Sequence, residues 1–135
     1  MFAMDRKWWS KYIDDVLAKF HGERWSAVRV QGVNQMPKSL FHFGNSGAAA
    51  IALASHRGAE RVVLLGYDCR RGANGEVHHH GNHPKPLGNA GSMHDWPKQF
   101  GLLAGKLNGT EVINCSPGTA LKVFQRASLA EVLDS

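Results

Sequence analysis

An α/β layered fold with a mostly parallel sheet is what this sequence predicts, and three observations carry the prediction. Helical and strand-like segments alternate: a helix, weak strands, a helix, a strand, a long loop, a helix, a strand and a terminal helix. Val62-Val63-Leu64-Leu65 is a continuous apolar run of the kind buried on both faces of a parallel sheet covered by helices. Gly44-Asn45-Ser46-Gly47 opens an alanine-rich helix before that run, and Gly66-Tyr67-Asp68 closes the run with a turn and a carboxylate.

Each element follows from local chemistry. Asp5 caps the first helix, and Trp8, Trp9, Tyr12, Ile13, Val16, Leu17 and Phe20 recur on one face as its core stripe. Gly22 supplies the stop. Trp25 to Val30 alternates weakly, as a short strand does; Asn34 to Ser39, with Pro37, is a loop, and Leu40 to Phe43 is a second short strand. Ser46 to His56 is a helix whose alanines allow close approach to a sheet or a ligand, and Gly58 ends it. Residues 69–95 hold glycines, prolines and five of the eight histidines without periodicity, and a loop this long is functional or disordered. Trp96, Phe100, Leu103 and Leu107 mark a helix from Trp96 to Leu107, and Thr110 to Asn114 is the next strand. Ser128-Leu129-Ala130-Glu131 forms a capping box for a helix through Leu133.

The 135 residues suit one domain, 1–135. With 43% apolar and 20% charged residues the chain can bury a core. A net charge of +5 and a pI near 9.5 point to an anionic partner: nucleotide, phosphosugar or nucleic acid. Lys and Arg never run beyond pairs such as Arg70-Arg71, so a solvated surface that merely happens to be basic explains the charge better than a dedicated anionic partner does. Without a basic helix, an aromatic stacking strand or a zinc finger, nucleic acid is the weaker choice. Cys69 and Cys115 form no CxxC motif and sit beside strands as small hydrophobes. With no charged-then-apolar leader and no bilayer-length apolar run, the expectation is a cytoplasmic protein with no membrane partner.

Four segments could carry chemistry. At Gly44-Asn45-Ser46-Gly47, a helix amino terminus offers unpaired N–H groups to a phosphate, although Asn and Ser are equally the commonest plain caps. The motif is neither GxGxxG nor a P-loop. Asp68, at a strand's carboxyl end, could accept from ribose hydroxyls or hold a metal, or simply form a turn. His78-His79-His80-Gly81-Asn82-His83-Pro84 and His94-Asp95 offer bases, acids or metal ligands. With Asp68 or Asp95 these histidines would suit zinc or manganese, but their spacing matches no standard zinc motif. A divalent metal, or a metal-dependent hydrolase or nuclease suggested by His-Gly-Asn-His, therefore stays open without an assigned ligand set. In Asn114-Cys115-Ser116-Pro117-Gly118-Thr119, Ser116 or Thr119 could reach a ligand, or the segment could be only a turn.

In this order the segments resemble the 6-hydroxymethylpterin diphosphokinase-like family, which includes flagellin-modifying glycosyltransferases, and equally the bacterial lipooligosaccharide sialyltransferases. The shared layout is a serine–glycine turn, a helix, a strand ending in Gly-x-Asp, a mobile lid, a histidine, and a late strand with a Ser/Asn turn. Trp8-Trp9 and His80-Gly81-Asn82-His83-Pro84 are most similar to phage and prophage proteins of that group. The resemblance covers residues 40–133 at the level of layout. It implies a Rossmann-like three-layer fold and a nucleotide-binding transferase that moves a glycosyl or diphosphate group from a nucleotide or nucleotide-sugar donor in a bacterial cytoplasm. It implies that Asn45, Ser46 and Gly47 contact the nucleotide, that Asp68 sits near the ribose or donor phosphate, and that Ser116 belongs to the late turn. It implies His94 as the base that deprotonates an acceptor hydroxyl, with His83 and His80 as lid alternatives. Members of the group begin with another βαβ unit, so the expected fold is truncated. An upstream-encoded partner or a homo-oligomer would complete the pocket, or the activity is lost, and an exposed sheet edge favours self-association. A non-catalytic module that captures a nucleotide or a host protein is the alternative.

Overall fold

The computed structural model describes residues 1–76, 82–85 and 87–134. His78, His79 and His80 lie outside the described residues. The described residues form a mixed α/β structure of two small parallel sheets and four α-helices. β1 (Phe2–Ala3), β2 (Trp25–Ser26) and β3 (Asn34–Gln35) form one sheet, in register Phe2 to Trp25 and Trp25 to Asn34. β4 (Arg61–Leu64), β5 (Glu111–Asn114) and β6 (Gln125–Arg126) form the other, in register Val62 to Val112 and Ile113 to Gln125. The helices are α1 (Arg6–Lys19), α2 (Ser46–His56), α3 (Trp96–Ala104) and α4 (Leu129–Leu133).

The first 26 residues are themselves a short βαβ unit, since β1 and β2 run parallel with α1 between them. The order expected from the sequence opens on a helix, and β1 adds a strand before it. β1 is only two residues long and carries no strand pattern, whereas β2 falls at the start of the Trp25 to Val30 segment expected as a short strand. Asp5 caps α1 by accepting from the Lys7 amide at 2.7 Å. The helix ends when Phe20 turns extended, before Gly22 is reached. Of the apolar stripe, Trp9 and Val16 are buried, and the Trp9 indole donates to the Ala3 carbonyl at 3.0 Å. Leu17 and Phe20 stay 41% and 37% exposed, because two-residue strands make too small a sheet to cover the whole stripe. Asn34 and Gln35, expected as loop, form a strand, and Leu40 to Phe43, expected as a strand, lie in a 3-10 helix. Asn34 and Gln35 pair through their backbones, an arrangement without a hydrophobic signature. Residues 38–43 form a 3-10 turn that Gly44, at φ +75°, terminates.

α2 is the centre of the molecule. Ala48, Ile51 and Ala52 face a core of Phe43, Leu64, Phe100, Leu103, Val112, Leu121 and Phe124. Ala49 and Leu53 face a smaller core with Ala27 and Met36. A helix buried on both sides reads as continuously small and apolar rather than amphipathic. At its end Gly58, at φ +89°, donates to Ser55 and the following Ala59 amide donates to Ala54, closing the last turn with a left-handed cap.

β4 is an edge strand, and only Leu64 of its run is buried. Leu65 is 58% exposed, which corrects the expectation of burial on both faces; the chain leaves the sheet there and turns at Gly66, φ +74°. α3 starts at Trp96-Pro97, where a proline costs no hydrogen bond, and ends at Ala104. The capping box of α4 is formed, with Glu131 N–H to Ser128 Oγ at 3.3 Å and Ser128 N–H to the Glu131 carboxylate at 2.8 Å. Among the described residues no helix is long and apolar enough to cross a membrane.

Candidate functional site

The amino terminus of α2 meets the carboxyl end of β4. Tyr67 joins them: its hydroxyl donates to the Gly47 carbonyl at 3.4 Å, and a Cβ on residue 47 would stand 2.9 Å from the ring. Gly47 is therefore required by the close approach of Tyr67. The backbone of Tyr67 is fixed from β5. Its N–H donates to Ser116 Oγ at 2.8 Å, and its carbonyl accepts from Thr119 Oγ1 at 2.6 Å. Thr119 Oγ1 also accepts from Asn114 Nδ2 at 3.2 Å and from the Leu121 amide at 3.0 Å, which saturates the hydroxyl. Asn114 Oδ1 accepts from the Ser116 amide at 3.0 Å. All three polar side chains are buried; Ser116 and Thr119 bond the end of β4, and Asn114 bonds the turn that carries them.

These contacts frame a cavity of about 340 Å³. Asn45, Ser46 and Gly47 form one wall, Gly66 to Cys69 a second, and Ala90, Trp96 and Phe100 the rest. The side chain of Asn45 is fully engaged in holding that wall: Oδ1 accepts from the Ala48 amide and Nδ2 donates to Gln99 Oε1, both at 2.7 Å. A Cβ on Gly44 would run into the Gln99 amide, so this glycine is fixed both by its φ and by its neighbour. Asn45 thus positions the turn. The amides of Ser46 and Gly47, at the positive end of α2, have no hydrogen-bond acceptor among the described residues.

The lining carries little charge of its own. Burial, and secondarily the charge of Asp68, pushes the Cys69 thiol up to about 11. Burial likewise raises Tyr67, with Cys69 adding to it. Both stay neutral near pH 7, so neither is an activated nucleophile there. The acidic side chain of the lining is that of Asp68, which is exposed and has no hydrogen-bond or ion-pair partner among the described residues. The buried Trp96 Nε1 has no hydrogen-bond partner in this wall. Cys69 and Ala90, both at φ +50°, are the non-glycine residues that the described chain holds in the left-handed region, and both line this cavity. Backbone strain of this kind concentrates at functional sites.

A second cavity, of about 370 Å³, shares Ser46 with the first. Phe2 to Asp5 and Trp8 form one side, and His83, Leu87 and Gly88 the other. The structure therefore brings together Asn45, Ser46, Gly47 and Asp68, with His83 across Ser46. It does not bring His94 to either lining: that side chain is 76% exposed and lies 3.4 Å from the Asp95 carboxylate. Ser116 holds Tyr67 in place and is not in the lining. His80 lies outside the described residues. Among the described residues no cluster of three His, Cys, Asp or Glu is arranged to hold a metal. The aromatic wall of Tyr67, Trp96 and Phe100 had no separate signal in the sequence, because Trp96 and Phe100 carry the same apolar spacing that marks α3 as a core helix. Comparisons of the chain with protein-family models, with curated proteins and with solved structures return no match.

Proposed function

We propose that the cavity between α2 and β4 is the nucleotide site of a transferase-like domain. The observation that carries this reading is the convergence on one cavity of two helix-terminal amides and a carboxylate, all without a partner among the described residues, with an aromatic wall. The Ser46 and Gly47 amides suit a phosphate. Asp68 suits the ribose hydroxyls, and the partly exposed Tyr67 and Trp96, backed by the buried Phe100, offer surfaces to a base. The topology supports the same reading. Set edge to edge at β1 and β4, the two sheets give the order β3-β2-β1-β4-β5-β6, that of the doubly wound Rossmann-like folds. α2 packs against both β1 and β4, as a crossover at the switch point does. The cavities then lie where ligands of such folds bind, at the carboxyl ends of the strands.

As a transferase, the domain would move a glycosyl or diphosphate group from a nucleotide donor to an acceptor hydroxyl. His83, across Ser46, is then the better-placed base than His94. A divalent cation would find one carboxylate in this lining, Asp68, and so would arrive with the phosphates. The neutral Cys69 and Tyr67 favour a second reading, a module that binds a nucleotide without turning it over. Calorimetric titration with AMP, CMP, GMP and UMP tests binding; the expected result is heat from at least one of them, and silence from all four refutes both readings. Release of free nucleotide from UDP-glucose or CMP-N-acetylneuraminate in the presence of acceptors separates the transferase from the binding module.

A further inference from the structure

Beyond that reading, and resting on it, we propose that the cavity beside β1 takes a second ring-bearing group carried on the same nucleotide beyond its phosphate. The two cavities are similar in size, at about 340 and 370 Å³, and each can hold one ring-sized group. Ser46 belongs to both walls, so whatever passes between them runs over the start of α2. A short anionic link suits that crossing, because the first amides of the helix point outward there.

The second cavity is built for an apolar face. Phe2, Met4, Trp8 and Leu87 supply its surface, with His83 as its titratable group besides the capping Asp5. Asp5 already accepts from the Lys7 amide. Trp8 is held as a platform: its ring packs edge-on against Trp9 and tilted against Tyr12, both at 5.1 Å between centroids. The opposite wall is also tied down. The His83 amide donates to Asn89 Oδ1 at 2.7 Å, the Leu87 amide donates to the Pro84 carbonyl at 3.1 Å, and Leu87 is buried. An indole face beside aliphatic side chains suits a sugar ring or an aromatic ring. A mononucleotide would fill the first cavity and leave the second open, whereas a nucleotide bearing such a group would fill both.

The test compares AMP with ADP-ribose, UMP with UDP-glucose and CMP with CMP-N-acetylneuraminate by calorimetry, on the intact chain and on two variants. Gly88→Phe adds a ring at the loop wall of the second cavity; a Cβ at this position meets nothing within 4 Å, so its branch point has room. Trp8→Ala removes the platform. The expected result is that at least one conjugate binds roughly tenfold or more tightly than its mononucleotide, and that both variants abolish this gain while leaving mononucleotide affinity unchanged. If mononucleotides bind but no conjugate gains, or the gain survives Gly88→Phe, the second subsite is wrong and the nucleotide reading stands. If no mononucleotide and no conjugate binds, both fall together.

Discussion

Two strand ends of this molecule carry polar residues, and they are used in opposite ways. At the end of β5, Asn114, Ser116 and Thr119 are buried and engaged with one another and with the backbone of Tyr67 and Leu121. At the end of β4, Asp68 is exposed beside a cavity and its carboxylate has no hydrogen-bond or ion-pair partner among the described residues. The first arrangement is scaffold, because every donor and acceptor it engages stays in the fold. The second leaves a charge for something else to meet. The difference lies in hydrogen-bond satisfaction, which residue type alone does not reveal.

The comparison can be broken at several points. Asn114→Ala would leave the buried Ser116 amide without its acceptor and remove one of the hydrogen bonds to the Thr119 hydroxyl, and should cost about 2–4 kcal/mol, read as a lowered urea midpoint at unchanged slope. Gly47→Ala forces a methyl against the Tyr67 ring and should cost about 1–3 kcal/mol, with a smaller cost in a Tyr67→Ala background. Asp68→Ala should leave the unfolding midpoint where it is while lowering ribonucleotide affinity roughly tenfold. The intact chain should prefer ribose to deoxyribose nucleotides, and the variant should not. The Cys69 thiol provides a subtler test. Its value rises from 9.0 to about 11, so the folded chain keeps a proton that the unfolded chain loses. Stability from this group is complete below pH 9 and falls away as pH rises through 11, and Cys69→Ala should flatten that part of the profile. His94→Ala is expected to change neither stability nor nucleotide affinity, since its exposed side chain meets neither cavity.

The parts of this architecture visible in the sequence are those set by local chemistry. Asp5, Asn45 and Ser128 cap helices as their side chains dictate, and the alanines of α2 announce a helix packed on two sides. β1, β3 and β6 were invisible because two-residue strands are created by pairing and carry no pattern. Leu65 misled because an apolar run does not reveal where the backbone leaves the sheet; Gly66 was the better signal. In the candidate site, Asn45, Ser46, Gly47 and Asp68 were legible from a helix start and a strand end. That Asn45 acts on Gln99 and Ala48, and that Ser116 supports Tyr67, depends on contacts across 54, 3 and 49 residues, two of which no local reading reaches.

The most direct test follows backbone and indole N–H signals by NMR while a ribonucleotide is titrated into isotopically labelled protein. The account predicts that Ser46, Gly47 and Cys69 amides and the Trp96 indole shift progressively to saturation, while Asn114, Ser116 and Thr119 hold still. Shifts centred on the Asn114–Thr119 turn, with Ser46 and Gly47 unmoved, would contradict it.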